Sequence, residues 1–301
     1  MDEISLQKAI AYFEKTANRK VFSIKPLGNG TANDIFQINW EYVCRIKKEN
    51  KVDEPFNTPG NEAEVLLALA MPRDQERPYR PHLCVFDPVH GDKIEMFIDS
   101  KEELNQLDSE TEIYRRLLRA SKSISELHRV KGNIAPFEAT LRYQRYKDLS
   151  GESLCPDWEK VIVPLANDIL LHATLVLSHN DLWSGNVLFP ENSDYATFVD
   201  YEFAGLNAEA FDLASLIEEN DVDERHAEWL MNDYVPEFTD PKEFPKQVRI
   251  LIMYQDFLWA YWALARYKET SSPRFFAIAE KKKKRIESAY KKFQENPGWF
   301  F

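Results

Sequence analysis

The spacing of apolar positions changes along this chain, and the change divides it in two. Residues 5–18 carry apolar side chains at helical intervals and predict an opening helix. Short apolar runs at 21–25, 35–40 and 42–47 then predict strands, the last two joined by a tight turn. Residues 61–71 form an amphipathic helical pattern ended by Pro72, and 83–86 and 93–98 predict two more strands. The first third is thus expected to be a five-stranded sheet with one helix. Beyond Asp99 helical spacing dominates, over 111–129, 136–149, 156–172, 210–220, 242–268 and 273–294. Only the segment 174–199 interrupts it with strand-like runs. The expected class is α+β, with a small lobe over 1–98, a larger helical lobe over 99–301, and a ligand cleft at the seam near 94–100.

The strand-like interruption carries the chemistry. Residues 174–178 predict a buried strand ending at His179, followed by a tight loop from Asn180 to Gly185. Residues 186–189 and 196–199 predict a hairpin around the turn 190–194, delivering Asp200. Such a hairpin brings Asn186 and Asp200 together at its open end, with Asp181 on the loop beside them. Two carboxylates and an amide are what phosphoryl transfer from a magnesium nucleotide needs: a base or orienter at the attacking hydroxyl, and oxygen ligands for Mg²⁺. His-x-Asp beside Asn also occurs in ordinary turns. A hydrolytic metal site at His179 and Asp181 lacks a second His at ligand spacing. The complete strand, loop and hairpin pattern favours phosphoryl transfer.

Composition narrows the partners. The 301 residues carry a formal net charge of −12, which argues against nucleic acid and suits a cationic ligand. Cys44, Cys84 and Cys155 show no paired spacing, so buried thiols in a reducing compartment are expected. The start, Met1-Asp2-Glu3-Ile4, has no leader pattern, and no apolar run approaches the ~20 residues of a membrane span. A cytoplasmic protein without membrane insertion, monomeric or homodimeric, is the expectation.

Other segments supply the remaining parts. The loop holding Gly28, Asn29, Gly30, Thr31 and Asn33 permits positive φ and close approach to a phosphate, although an ordinary hairpin turn fits equally well. Arg45, on the strand 42–47, shares a face with Val43 and Lys47 and is expected to contact phosphate. An acid on the following helix would orient it, and Glu64 is favoured over Glu62. Trp259 and Trp262 share a helix face with Gln255. Two Trp at that spacing suit a core, and they also suit a cage for a quaternary ammonium, which ring faces attract. The run from Lys281 to Arg285 reads as the solvated face of the last helix rather than an anion site.

From about Pro26 to Leu264 the chain resembles the choline/ethanolamine kinases, within the wider aminoglycoside-phosphotransferase-like and protein-kinase-like group. The stretches that carry the likeness are PLGNGTAND, YVCRI, NEAEVLLAL, IEMFID, Leu127-His128 with Ala135-Pro136-Phe137-Glu138, SHNDLWSGNVLF, FVDYEFAGLNAEAFDLASLIEE and QDFLWAYWAL. The resemblance implies a protein-kinase-like bilobal fold using ATP and Mg²⁺, with Asp181 as base and Asn186 and Asp200 as metal ligands. It also implies adenine against the backbone of the Glu95-Met96-Phe97 seam. Glu219, Trp259, Trp262 and Phe203 would surround the acceptor ammonium, and Asp212 would brace the catalytic loop. Trp183 stands where some relatives carry a polar residue, which leaves the acceptor open. The implied reaction makes phosphocholine from choline. Ethanolamine, thiamine or another small alcohol are alternative acceptors. A non-catalytic nucleotide- or choline-binding regulator is disfavoured because Asp181, Asn186 and Asp200 are all present.

Overall fold

The computed structural model describes residues 3–29, 33–48, 56–70, 82–100, 104 and 109–296. Helix α1 (Glu3–Ala17) precedes an antiparallel sheet of β1 (Ile24–Asn29), β2 (Asn33–Ile38), β3 (Tyr42–Lys47), β4 (Leu83–Phe86) and β5 (Lys93–Met96). The strands lie in the order β1-β2-β3-β5-β4. Alternation along β3 turns Tyr42, Cys44 and Ile46 toward Ala9 and Phe13 of α1, where they join Phe36, Ile38 and Ile94 in one apolar cluster. The opposite face points Arg45 and Lys93, directly cross-strand partners, toward α2 (Pro59–Ala70).

The helical lobe comprises α3 (Glu110–His128), α4 (Ala139–Ser150), α5 (Pro156–His172), α6 (Ala210–Glu219), α7 (Glu224–Asp233), α8 (Phe244–Thr270) and α9 (Pro273–Glu295). Local signals set the ends. Ser109 caps α3 by accepting from the Glu112 amide, Asp223 caps α7 by accepting from His226, and Pro273 opens α9. The middle of α8 is buried on all sides, with the polar Gln255 and Asp256 enclosed among its apolar residues. Two small ladders sit among these helices: β6 (Leu175–Ser178) with β9 (Gly205–Ala208), and β7 (Val187–Leu188) with β8 (Thr197–Phe198). The fold is protein-kinase-like and bilobal, with a small antiparallel sheet lobe and a mostly helical partner.

Helix α2 belongs to both lobes. Its Val65, Leu66, Ala68 and Leu69 lie in the large cluster that holds the helical lobe together, while Glu62 faces the sheet. Among the described residues no helix is long and apolar enough to cross a membrane.

Several expectations shift. The first strand runs over Ile24–Asn29, so Gly28 and Asn29 are ladder residues paired with Ile35 and Asp34, after a bulge at Pro26. Strand β9 and helix α7 were absent from the sequence reading. Strand β9 is only Gly-Leu-Asn-Ala, and α7 is a helix of only ten residues. Of the three thiols Cys44 is buried, Cys155 is half-buried and Cys84 is exposed.

Candidate active site

The loop after β6 is held almost entirely by side chains of α6. Asp212 accepts from the backbone amides of His179 (2.9 Å) and Asn180 (2.8 Å). Ser215 accepts from the amide of Leu182 at 2.9 Å, and Asn220 donates to its carbonyl at 2.7 Å. His128 on α3 meets the same Asp212 carboxylate at 3.1 Å. Asn180 adopts φ 65°, and its side chain bonds to Ser178, Phe203 and Asn207. A left-handed residue there costs strain that this many fixed partners hold in place. His179 is fully buried and donates Nε2–H to the Val199 carbonyl at 2.9 Å. Burial lowers its pKa, so the ring stays neutral and acts as a strut.

This scaffold presents Asp181. Asn186 donates Nδ2 to the Asp181 Oδ2 and to its carbonyl, both at 2.9 Å. Across the short ladder, the Val199 amide donates to the Asn186 carbonyl at 3.0 Å, which sets Asp200 beside Asn186 in the backbone. Asp181 is raised well above the carboxylate range, first by burial and then by the charges of Glu219, Asp200 and Glu202. The acids thus converge electrostatically, and the site carries an excess of negative charge.

Asp200 faces the sheet lobe. It adopts φ 62°, and its Oδ1 accepts from Arg45 Nη1 at 2.8 Å. Burial alone would raise its pKa, but Arg45 and Lys93 outweigh that and hold it below the usual range. Arg45 also donates Nη2 to Glu62 Oε2 (2.6 Å) and to the Gly91 carbonyl (2.8 Å). The expected partner Glu64 is wrong: it is exposed, and Glu62 is buried. The helical period explains the correction, because Glu62 shares its face with Val65, Leu66 and Leu69, whereas Glu64 projects from the opposite side. Sequence reasoning also missed Lys93. Its Nζ is buried between Glu62 (3.3 Å) and Glu95 (3.2 Å). Glu95 therefore spends its side chain on Lys93, and the backbone amides of Met96 and Phe97 donate to the His82 and Glu41 carbonyls. An adenine bonding to backbone would need groups outside these two amides.

Trp259 is buried on α8 and meets Phe203 edge-on at 5.5 Å and Trp262 edge-on at 6.1 Å. Gln255, one turn earlier, is fully buried and donates to the Phe211 carbonyl at 3.0 Å. It braces α6 rather than lining a cavity. Trp183 is about two-fifths exposed, and its ring lies over Gly185, where any β-carbon would fall 2.2 Å from the indole. Glu219 closes α6, and Lys282 of α9 reaches its Oε1 at 2.8 Å. The basic run of α9 is therefore divided: Lys281, Lys283 and Lys284 are exposed as a solvated face would be, while Lys282 and Arg285 turn inward. Lys282 is buried on Glu218 and Glu219, Arg285 binds Asp256 at 2.9 Å, and Lys281 binds Asp221 at 2.6 Å. Of the phosphate-loop residues, Asn33 opens β2 and is buried, while Gly30 and Thr31 lie outside the described residues.

The donor set suits a hard cation: carboxylate and amide oxygens in an electronegative setting. Among the described residues no three His, Cys, Asp or Glu side chains gather to cage an ion unaided.

Residues 103–244 match the choline/ethanolamine kinase family. A 124-residue segment is 32% identical to Protein LicA of Haemophilus influenzae, covering 40% of this chain and 44% of that protein. A 172-residue segment is 28% identical to Ethanolamine kinase 2 of Rattus norvegicus, covering 47% and 44%. The chain thus spans less than half the length of the curated relatives it matches. In three dimensions it resembles a choline/ethanolamine kinase family protein from Mesorhizobium loti, with TM-score 0.74 at 22% identity and 94% of each chain covered. It also resembles choline kinase LicA from Streptococcus pneumoniae, with TM-score 0.71 at 17% identity, covering 94% of this chain and 99% of that one. At those identities the likeness establishes the fold.

Proposed function

On the premise that residues 103–244 carry a choline/ethanolamine kinase match, we propose that this chain transfers the γ-phosphoryl group of ATP to the hydroxyl of choline, giving phosphocholine. Residues 1–98 would form the nucleotide lobe and 99–301 the acceptor lobe. The observation that carries the reading is Asp181: a half-buried carboxylate bonded to Asn186, on a loop fastened at both ends by α6. Asp181 orients the acceptor hydroxyl and finally takes its proton, as the acceptor oxygen bonds to phosphorus and ADP leaves. Arg45 supplies positive charge beside Asp200, at the seam where the lobes meet. When bound, Mg²⁺ would be held by Asn186 and Asp200 and would neutralise phosphate charge. Trp259, Phe203 and Trp262 offer aromatic surface to a quaternary ammonium, with Glu219 as counter-charge. Positioning and fixed charges do most of the work.

Ethanolamine is the second reading. A primary ammonium prefers carboxylates that accept hydrogen bonds, and the charges of Glu219 and Glu202 both act at Asp181. A panel of choline, ethanolamine, thiamine and other small alcohols, followed by ADP release with Mg-ATP, separates the two. Selective turnover of choline that Asp181→Asn abolishes is the expected result. An inert panel, or an unaffected Asp181→Asn variant, would overturn the proposal.

A further inference from the structure

The acceptor end of the site is built over a cluster of buried charges that does not balance. Three acids meet there: Glu218 and Glu219 from α6 and Asp256 from α8. Two cations of α9 face them. Lys282 Nζ lies 2.5 Å from both Glu218 oxygens and 2.8 Å from Glu219 Oε1, while Arg285 Nε lies 2.9 Å from Asp256 Oδ1 and 3.4 Å from Glu218 Oε1. Lys281 and Asp221 form an outer pair, with Asp221 also on Arg285. Glu218 shares its cations with both other acids, Lys282 with Glu219 and Arg285 with Asp256. Carboxylates this close repel one another, and a proton on one of them relieves that repulsion.

With all three acids ionised, the cluster would be one positive charge short. Glu218 is fully buried and strongly favoured as the anion by Lys282 and Arg285, which overcome its burial. The proton therefore belongs to its neighbours, Asp256 and Glu219, both shifted upward by burial and then by the charge of Glu218. Glu219 is the outward member, with 18% of its side chain exposed against 0% for Glu218 and 5% for Asp256.

Extending the proposed acceptor site, on which this rests, we propose that Lys282 sets the charge of the pocket and that an ammonium enters in exchange for a proton held at Glu219. An entering monocation completes the balance that the proton otherwise supplies. Burial, followed by the charge of Glu218, lifts Glu219 to about 7, which puts the exchange near neutrality.

The test is calorimetric titration of choline chloride and of ethanolamine hydrochloride into the full chain with Mg-ADP, in two buffers of different ionisation enthalpy. About one proton is released per ammonium bound near pH 6, and almost none near pH 8.5. Affinity weakens by about tenfold per unit below the transition. Glu219→Gln, close in shape, removes both the release and the pH dependence, whereas Asp181→Asn keeps them. Lys282→Met moves the release to higher pH, because the cation nearest Glu219 is gone. If that variant does not fold, Lys282→Arg keeps the wild-type release, and the Glu219→Gln and Asp181→Asn pair decides. Ammonium binding near pH 6 without proton release overturns the exchange and leaves the kinase reading standing. Absence of both binding and phosphorylation for either ammonium overturns the two together.

Discussion

Arg45 Nη1 and Asp200 Oδ1, 155 positions apart in sequence, are joined by a 2.8 Å hydrogen bond that crosses from the sheet lobe to the catalytic hairpin. The same guanidinium reaches Glu62 and the Gly91 carbonyl, so one side chain fixes three segments. A lysine has the charge without the fork. Arg45→Lys is expected to keep the fold and lose one charge-assisted bond, worth about 1.5–3 kcal/mol. Steady-state kinetics should show kcat/KM for ATP lower by roughly tenfold to a hundredfold, with KM for the acceptor nearly unchanged.

Glu62 and Glu64 make a paired test. Removing Glu62 leaves Arg45 and Lys93 buried without their shared acid, which costs about 3–5 kcal/mol for such a pair. Glu64 is exposed, and its loss should stay within about 0.5 kcal/mol. Urea unfolding of Glu62→Ala and Glu64→Ala distinguishes them, and equal midpoints would remove Glu62 from its place in the network.

Stability should carry the signature of Glu219. Its folded pKa of about 7 lies above its ordinary 4.5, so between these values the folded chain holds a proton that the unfolded chain has released. Stability from this group is therefore present at the acid end of that window and is lost as pH rises through about 7. Buried, neutral His179 works in the opposite sense below its ordinary value. The difference in Tm between wild type and Glu219→Gln, followed from about pH 5 to 8, isolates the carboxyl. That difference should fall as pH rises.

Gly132 lies where a β-carbon would sit 2.7 Å from Ala68 of α2. Gly132→Ala is expected to cost about 1–3 kcal/mol by overpacking and to displace the helix that carries Glu62. Activity should fall more steeply than that loss of stability, while ammonium binding, measured by calorimetry, stays close to wild type.

The catalytic motif was readable because its parts are local: strand, loop and hairpin follow one another within a few turns of chain, each with its own turn chemistry. Arg45 was found for a similar reason, since alternation along β3 puts it opposite the apolar face. Its partner was missed although the signal was present, as Glu62 lies in register with Val65 and Leu69 and Glu64 does not. Lys93 and the acids around Lys282 are a different case. A buried ion pair is defined by two segments meeting, and a run such as Lys281 to Arg285 reads the same whether it faces water or the carboxylates of α6. Strand β9 escaped for another reason: Gly-Leu-Asn-Ala is strand only because β6 offers it a ladder.

Helix α2 shares its apolar side with the helical lobe, whereas α1 and the sheet keep a cluster of their own. Any swing of the sheet relative to α2 would therefore part the ionic contacts at Glu62 and Asp200 together with the packing of Leu83 and Phe86 of β4 on the larger cluster. Because those pairs are buried, salt would screen them little, and the cost of leaving their charges unpaired governs how easily the sheet parts from α2.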